Sequence, residues 1–201
     1  AACGLLPTHI GSGAIPPMLI VGVGYEAARD YGAFGALREP DLLPEGQQSR
    51  PEPSRHAGYL RFWREELIPF IEAHYRADPR ERAIYGFSAG ACFAVEMLLS
   101  QPGLLRRCVA CSGTWPGAAE FLLEQAEAYA GQLDRPHASL YMAAGEQERE
   151  MIAGMDRLLE ALSPRRCHGL WIRAERYGGE GHAAGAIAAS LLRGLSAVFA
   201  A

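Results

Sequence analysis

The sequence predicts an α/β fold, a mainly parallel sheet flanked by helices, and three observations carry that reading. Short apolar runs alternate with stretches of helical period from residue 83 to the end of the chain. Gly86-Phe87-Ser88-Ala89-Gly90 stands between one such run and the helical stretch that follows it. Ser88, a glutamate cluster beginning at Glu146, and His182 then fall in turn at the carboxyl ends of three of these strands, where open parallel sheets keep their reactive groups.

Taken in order, residues 1–17 are short apolar pieces broken by glycine and proline, the tail of a helix and then a loop. Met18 to Tyr25 is a continuous apolar run, expected as a central strand covered on both faces. Its Gly22-Val23-Gly24 lacks the third glycine of a dinucleotide fingerprint, which sets a nucleotide site aside. Residues 26–57 are polar and rich in proline, and read as one long loop. The apolar positions 60, 63, 67 and 71 predict an amphipathic helix up to Tyr75, kinked at Pro69. His74 on that helix reads as a packing or surface residue.

Ala83–Phe87 is a short strand leading into the Gly-x-Ser-x-Gly turn and a helix from Ala91 to Leu99. Strands are then expected at 108–112, 139–144 and 170–174, with helices near 118–129 and 151–162 between them. A glycine-rich loop, Tyr177 to His182, precedes a last helix through Ala200. The pattern implies about five strands in a single domain spanning 1–201, without an internal repeat.

Composition bounds the function. The chain has 201 residues, 49% hydrophobic and 21% charged, with a net charge of −4. Nothing basic enough to suggest nucleic acid is present, and no apolar run reaches the roughly 18 residues of a membrane span. All 19 basic residues are arginine. The five cysteines, Cys3, Cys92, Cys108, Cys111 and Cys167, are odd in number, and Cys108 and Cys111 read as buried small hydrophobes rather than a metal or redox pair. No basic leader followed by an apolar stretch opens the chain, so a cytoplasmic location is expected, with the periplasm open if the chain is processed.

A serine hydroxyl is a poor nucleophile until a base takes its proton, and His182 is the candidate base for Ser88. A carboxylate would hold the imidazole tautomer and stabilise the imidazolium; Glu148 is the first candidate and Glu146 the alternative acid. The order Ser, acid, His is that of the α/β-hydrolases. The backbone N–H of Ala89 would serve as one oxyanion donor, and no strand before residue 18 is evident to supply a second. No metal and no cofactor is called for.

Several segments resemble the enterochelin (enterobactin) esterase-type branch of the α/β-hydrolases, which also includes relatives of S-formylglutathione hydrolase. Ile15-Pro16-Pro17-Met18 through Gly22-Val23-Gly24-Tyr25 is similar to that family's apolar VGIGY strand. Arg38 to Pro44 resembles its R-x-x-D-[LF]-T-P segment, Glu66 to Glu72 its ELIPYIE, and Gly179-Glu180-Gly181-His182 its terminal GEGH. Phe87 stands where the family often carries histidine. The family's N-terminal strands are missing, so the chain looks like the C-terminal two-thirds of a family domain.

The resemblance implies an α/β-hydrolase fold and a bacterial serine esterase with Ser88 as nucleophile, His182 as base and Glu148 as its partner. Its substrates would be small-molecule esters of the siderophore type, with neither nucleic acid nor membrane as partner. Arg38 is a candidate contact for such anionic ligands; an Arg38–Asp41 pair fixing the long loop is the other reading. A degenerate, non-catalytic binding module and an acyltransferase using the same serine are the alternative functions. Exposed sheet edges in a truncated fold would favour self-association.

Overall fold

Strands form where runs find a ladder partner and a layer of helices to pack against, and the larger of two compact units meets that condition. The structure, a computed structural model, describes residues 10–26, 30–48, 53–132, 136–163 and 167–201. The larger unit comprises Ala1–Pro17 with Arg80–Ala201, and the smaller comprises Met18–Pro79.

In the larger unit, β1 (Ala83–Phe87), β2 (Arg107–Cys111), β3 (Ala138–Gly145) and β4 (Leu170–Tyr177) form a four-stranded sheet in the order β1-β2-β3-β4. All three pairings are parallel, with Tyr85, Val109, Tyr141 and Arg173 in register across the sheet. Neighbouring parallel strands need crossover connections. The helices α4 (Ala89–Ser100), α5 (Trp115–Ala130) and α6 (Arg149–Ala161) supply them, and α7 (Ala184–Ala200) closes the chain.

Side chains alternate across a strand, so Tyr85, Val109 and Tyr141 share one face. That face receives α7. Tyr85 Oη meets Ser190 Oγ at 3.0 Å, and Gly194 lies so close to Val109 and Tyr141 that a methyl group there would strike both. The helix α4 packs on β1 and β2, α5 on both α4 and α6, and α6 on β3. Residues Ala91 to Leu99 of α4 are all buried, as expected of a helix apolar on every side. Cys92, Cys108, Cys111 and Cys167 are free and buried. Arg173 pairs with Glu175, and Arg176 with Asp156, so β4 presents charge along its length.

The smaller unit departs from the sequence expectation in three places. Met18–Tyr25 forms no strand: Leu19, Ile20 and Val21 are 48%, 60% and 42% exposed in a run without regular secondary structure. Apolar composition suits a strand, but a strand exists only with a ladder partner, and the described residues offer this run none. The predicted long loop contains a helix, α1 (Tyr31–Leu42), opened by Asp30, whose carboxylate accepts the Ala33 N–H at 2.8 Å. The helix expected up to Tyr75 is divided into α2 (His56–Phe62), a π turn (Trp63–Leu67) and α3 (Ile68–His74).

The π turn has a local cause. Pro69 has no N–H and its ring crowds the carbonyl four residues back, so the preceding turn widens. Ile68 N–H reaches Trp63 O in the wider ring. Asp41 pairs with Arg55 at 2.7 Å and accepts from Tyr25 Oη at 2.8 Å, while Arg38 lies over the Phe34 ring. The expected Arg38–Asp41 pair is therefore replaced by Arg55–Asp41. His74 is exposed and stacks on Phe70, as a surface residue. No helix among the described residues is long and apolar enough to cross a membrane.

Candidate active site

The site lies within the larger unit, at the carboxyl ends of β1, β2 and β3 and in the loop after β4. Ser88 follows β1 and has φ 60° and ψ −128°, in a region that non-glycine residues rarely occupy. Strain of this kind is maintained by its surroundings. Ser88 N–H donates to Cys111 O at 3.0 Å and Ser88 O accepts from Ala91 N–H at 2.9 Å, which fastens the turn to β2 and to α4. Gly86 is required by space, since a methyl group there would strike the Gly90 carbonyl; at Gly90 nothing would be struck. One glycine of the motif therefore makes the turn, and the second is not demanded by packing.

Ser88 is 8% exposed, beside the amino end of α4. The first N–H groups of a helix have no acceptor within it. Ala89 is the first residue of α4, so its N–H is available to a developing oxyanion. Residues 1–9, where an earlier strand with a second donor would be sought, lie outside the described residues.

Glu148 and Glu146 follow β3 and face different partners. Glu148 is buried, and its Oε1 lies 2.6 Å from His182 Nδ1. Its Oε2 accepts the Gly145 N–H at 2.6 Å and the Ser112 hydroxyl at 2.6 Å. Glu146 is exposed and accepts the Gly179 N–H at 3.1 Å. The exposed Glu150 sits in the first turn of α6. Of the glutamates in the cluster, Glu148 is the one brought to the histidine.

Backbone bonds deliver that contact. Glu146 N–H donates to Tyr177 O at 2.9 Å and Gln147 N–H to Glu180 O at 3.0 Å, joining the turn after β3 to the loop after β4. A methyl group on Gly145 would strike the Glu180 carbonyl, and one on Gly185 the Glu180 carboxylate. Those two glycines let the loop fold down against both β3 and the start of α7. The His182 ring packs on Phe87 with centroids 4.7 Å apart, and its side chain remains 33% exposed. His182 thus touches the residue before the candidate nucleophile on one side and Glu148 on the other. Among the described residues no hydrogen bond joins Ser88 to His182; such bonds often tighten only when substrate is bound.

One residue at this site, Ser112, escaped sequence reasoning, and Phe87, read there as a departure at the elbow, takes a further role. Ser112 is fully buried at the end of β2 with φ 50°, and Phe87 forms one wall of the histidine. The available signal for Ser112 was its position, a hydroxyl one residue beyond a strand end. Among the described residues no group of three or more His, Cys, Asp or Glu could hold a metal ion. An open cleft of about 340 Å³ lined by Arg106, His137 and Trp171 lies at the opposite, amino ends of the strands.

The model of the Esterase family, described as "Putative esterase", matches residues 5–170. The ferri-bacillibactin esterase BesA of Bacillus subtilis is 30% identical over 181 residues, covering 83% of this chain and 62% of the relative. The chain therefore spans about three-fifths of that relative's length. Among solved structures, the BES protein of Bacillus cereus superposes with a TM-score of 0.81 at 24% identity, over 97% of this chain and 75% of that one. An enterobactin esterase, FES of Shigella flexneri, superposes with a TM-score of 0.71 at 20% identity, over 97% and 46%. At such identities the superpositions speak for the fold. By its match to the family model the chain belongs to the Esterase family, and its fold is that of the α/β-hydrolases.

Proposed function

We propose that the chain hydrolyses carboxylic esters of small molecules through an acyl-enzyme on Ser88. The observation that carries this reading is the 2.6 Å contact between Glu148 Oε1 and His182 Nδ1, beside a serine in the elbow conformation. With Nδ1–H given to the carboxylate, Nε2 is left as the base.

Ser88 Oγ attacks the ester carbonyl carbon as its proton passes to His182 Nε2. The resulting oxyanion accepts from the Ala89 N–H, whose direction is set by α4 before substrate arrives. The carbon–oxygen bond to the alcohol breaks as His182 returns the proton to the departing oxygen. Water then repeats the sequence on the acyl-serine, with His182 again as base, and releases the acid. Glu148 stays ionised and offsets the imidazolium charge in both halves.

A siderophore ester is the substrate class we favour. It is supported by what the relatives are named for, ferri-bacillibactin in one and enterobactin in another. Two substrates test the proposal at its two depths. With p-nitrophenyl butyrate, the chain should release nitrophenolate at a rate that falls at least about 10³-fold in Ser88→Ala, at unchanged melting temperature. With a catecholate trilactone, mass spectrometry should show ring-opened acids. Turnover unaffected by Ser88→Ala would contradict the mechanism, and butyrate cleavage without trilactone cleavage would contradict the substrate class.

A further inference from the structure

Ser112 combines two features that oppose each other unless its hydroxyl has a task. It is fully buried at the end of β2, and its N–H donates to Ala143 O at 2.8 Å, which extends the pairing with β3. Its φ is 50°, in the left-handed region where glycine sits without strain and a serine does not. Glycine would meet the backbone requirement better. Serine supplies what glycine cannot, a hydroxyl 2.6 Å from Glu148 Oε2.

The direction of that hydrogen bond is fixed by chemistry. An ionised carboxylate only accepts, so Ser112 O–H donates. Ser112 Oγ also lies 3.4 Å from Cys111 Sγ, and Cys111 is placed to donate to Ala186 O at 3.6 Å, which leaves the serine proton for the carboxylate. Gly145 N–H donates to the same Oε2 at 2.6 Å. Two donors from two strand ends thus hold one oxygen, fix the plane of the carboxylate, and turn the other oxygen to His182 Nδ1.

We infer that Ser112 is a positioning residue that sets the orientation of Glu148 and, through it, the tautomer of His182. The inference rests on His182 acting as the base of the esterase reading. Remove the hydroxyl, and Oε2 keeps a single donor in a buried site. The carboxylate is then free to turn, and the Nδ1–H tautomer that exposes Nε2 to Ser88 loses its selection.

Ser112→Gly and Ser112→Ala separate the hydroxyl from the backbone. Both lack the donor, while only glycine suits the left-handed conformation. Three readings are taken on each variant: the His182 tautomer from long-range ¹H–¹⁵N NMR, kcat and KM on p-nitrophenyl butyrate, and the melting temperature. In both variants the Nδ1–H tautomer should give way to a mixture, and kcat should fall about 10- to 100-fold with KM little changed. Ser112→Gly should melt at or above Ser112→Ala. Wild-type kcat or an unchanged tautomer in Ser112→Gly overturns the inference, because the residue then serves only the turn. A wild-type chain without turnover counts against the esterase reading alone, since the tautomer still tests the link from Ser112 through Glu148 to His182.

Discussion

Glu148 has both oxygens committed, one to two donors and the other to a histidine, and that commitment distinguishes it from Glu146. Replacing Glu148 by glutamine keeps the volume but brings an NH₂ group against at least one existing donor and removes the charge opposite the imidazolium. We expect kcat for p-nitrophenyl butyrate to drop about 10²- to 10⁴-fold in Glu148→Gln. Glu146→Gln keeps an oxygen for the Gly179 N–H and should lose at least about tenfold less. Equal losses in steady-state assays would show that the carboxylate beside His182 has no special part. The sequence ranked Glu148 ahead of Glu146 without excluding the latter, because both follow β3 within one turn. Their side-chain directions depend on how that turn is tied to the loop after β4, which residue spacing does not record. Ser88 and His182 were legible because each stands alone at a strand end among glycines.

At the scale of elements, the elbow distinguishes its two glycines. Gly86→Ala drives a methyl group onto the Gly90 carbonyl, a backbone atom that cannot move without distorting β1 or α4. We expect a cost of about 1–3 kcal/mol, read from urea denaturation. Gly90→Ala meets open space inside α4, where alanine favours the helix, and should be at least as stable as the parent chain. A Gly86→Ala variant as stable as Gly90→Ala would refute the packing account of the turn. The helices α4 to α7 and the strands β1 to β4 were readable because apolar runs of strand length alternate with longer stretches of helical length, punctuated by glycine and proline. The π turn before Pro69 and the helix α1 were not. A proline signals disturbance without saying which hydrogen bonds will rearrange, and α1 carries Pro40 within it while its apolar periodicity is weak.

For the molecule as a whole, burial of ionisable side chains predicts its response to alkali. Burial drives the Cys92 thiol from 9.0 up to about 12, against hydrogen bonding to Thr114, and it drives Cys108 up as well. The unfolded chain gives up these protons first. Stability is therefore full below about pH 9 and falls as pH rises from there toward about 12. Urea midpoints should be level from neutral pH to about pH 9 and decline above it, with a smaller decline in Cys108→Ala; a midpoint that holds throughout the alkaline range would contradict this. The parallel sheet was legible from alternating strands and helices. The run Met18–Tyr25 was misread because its residues favour a strand while pairing depends on an edge to pair with, and no local pattern contains that edge.

The central claim is that Ser88 is made nucleophilic by His182 and Glu148, and a fluorophosphonate tests it most directly by reacting with an activated serine. Intact-mass measurement after incubation of the folded chain should show one phosphonyl adduct, mapped to Ser88 by peptide sequencing. The adduct should be absent from Ser88→Ala and strongly slowed in His182→Ala. A folded chain that takes no adduct, or one that labels equally in Ser88→Ala, would contradict the account.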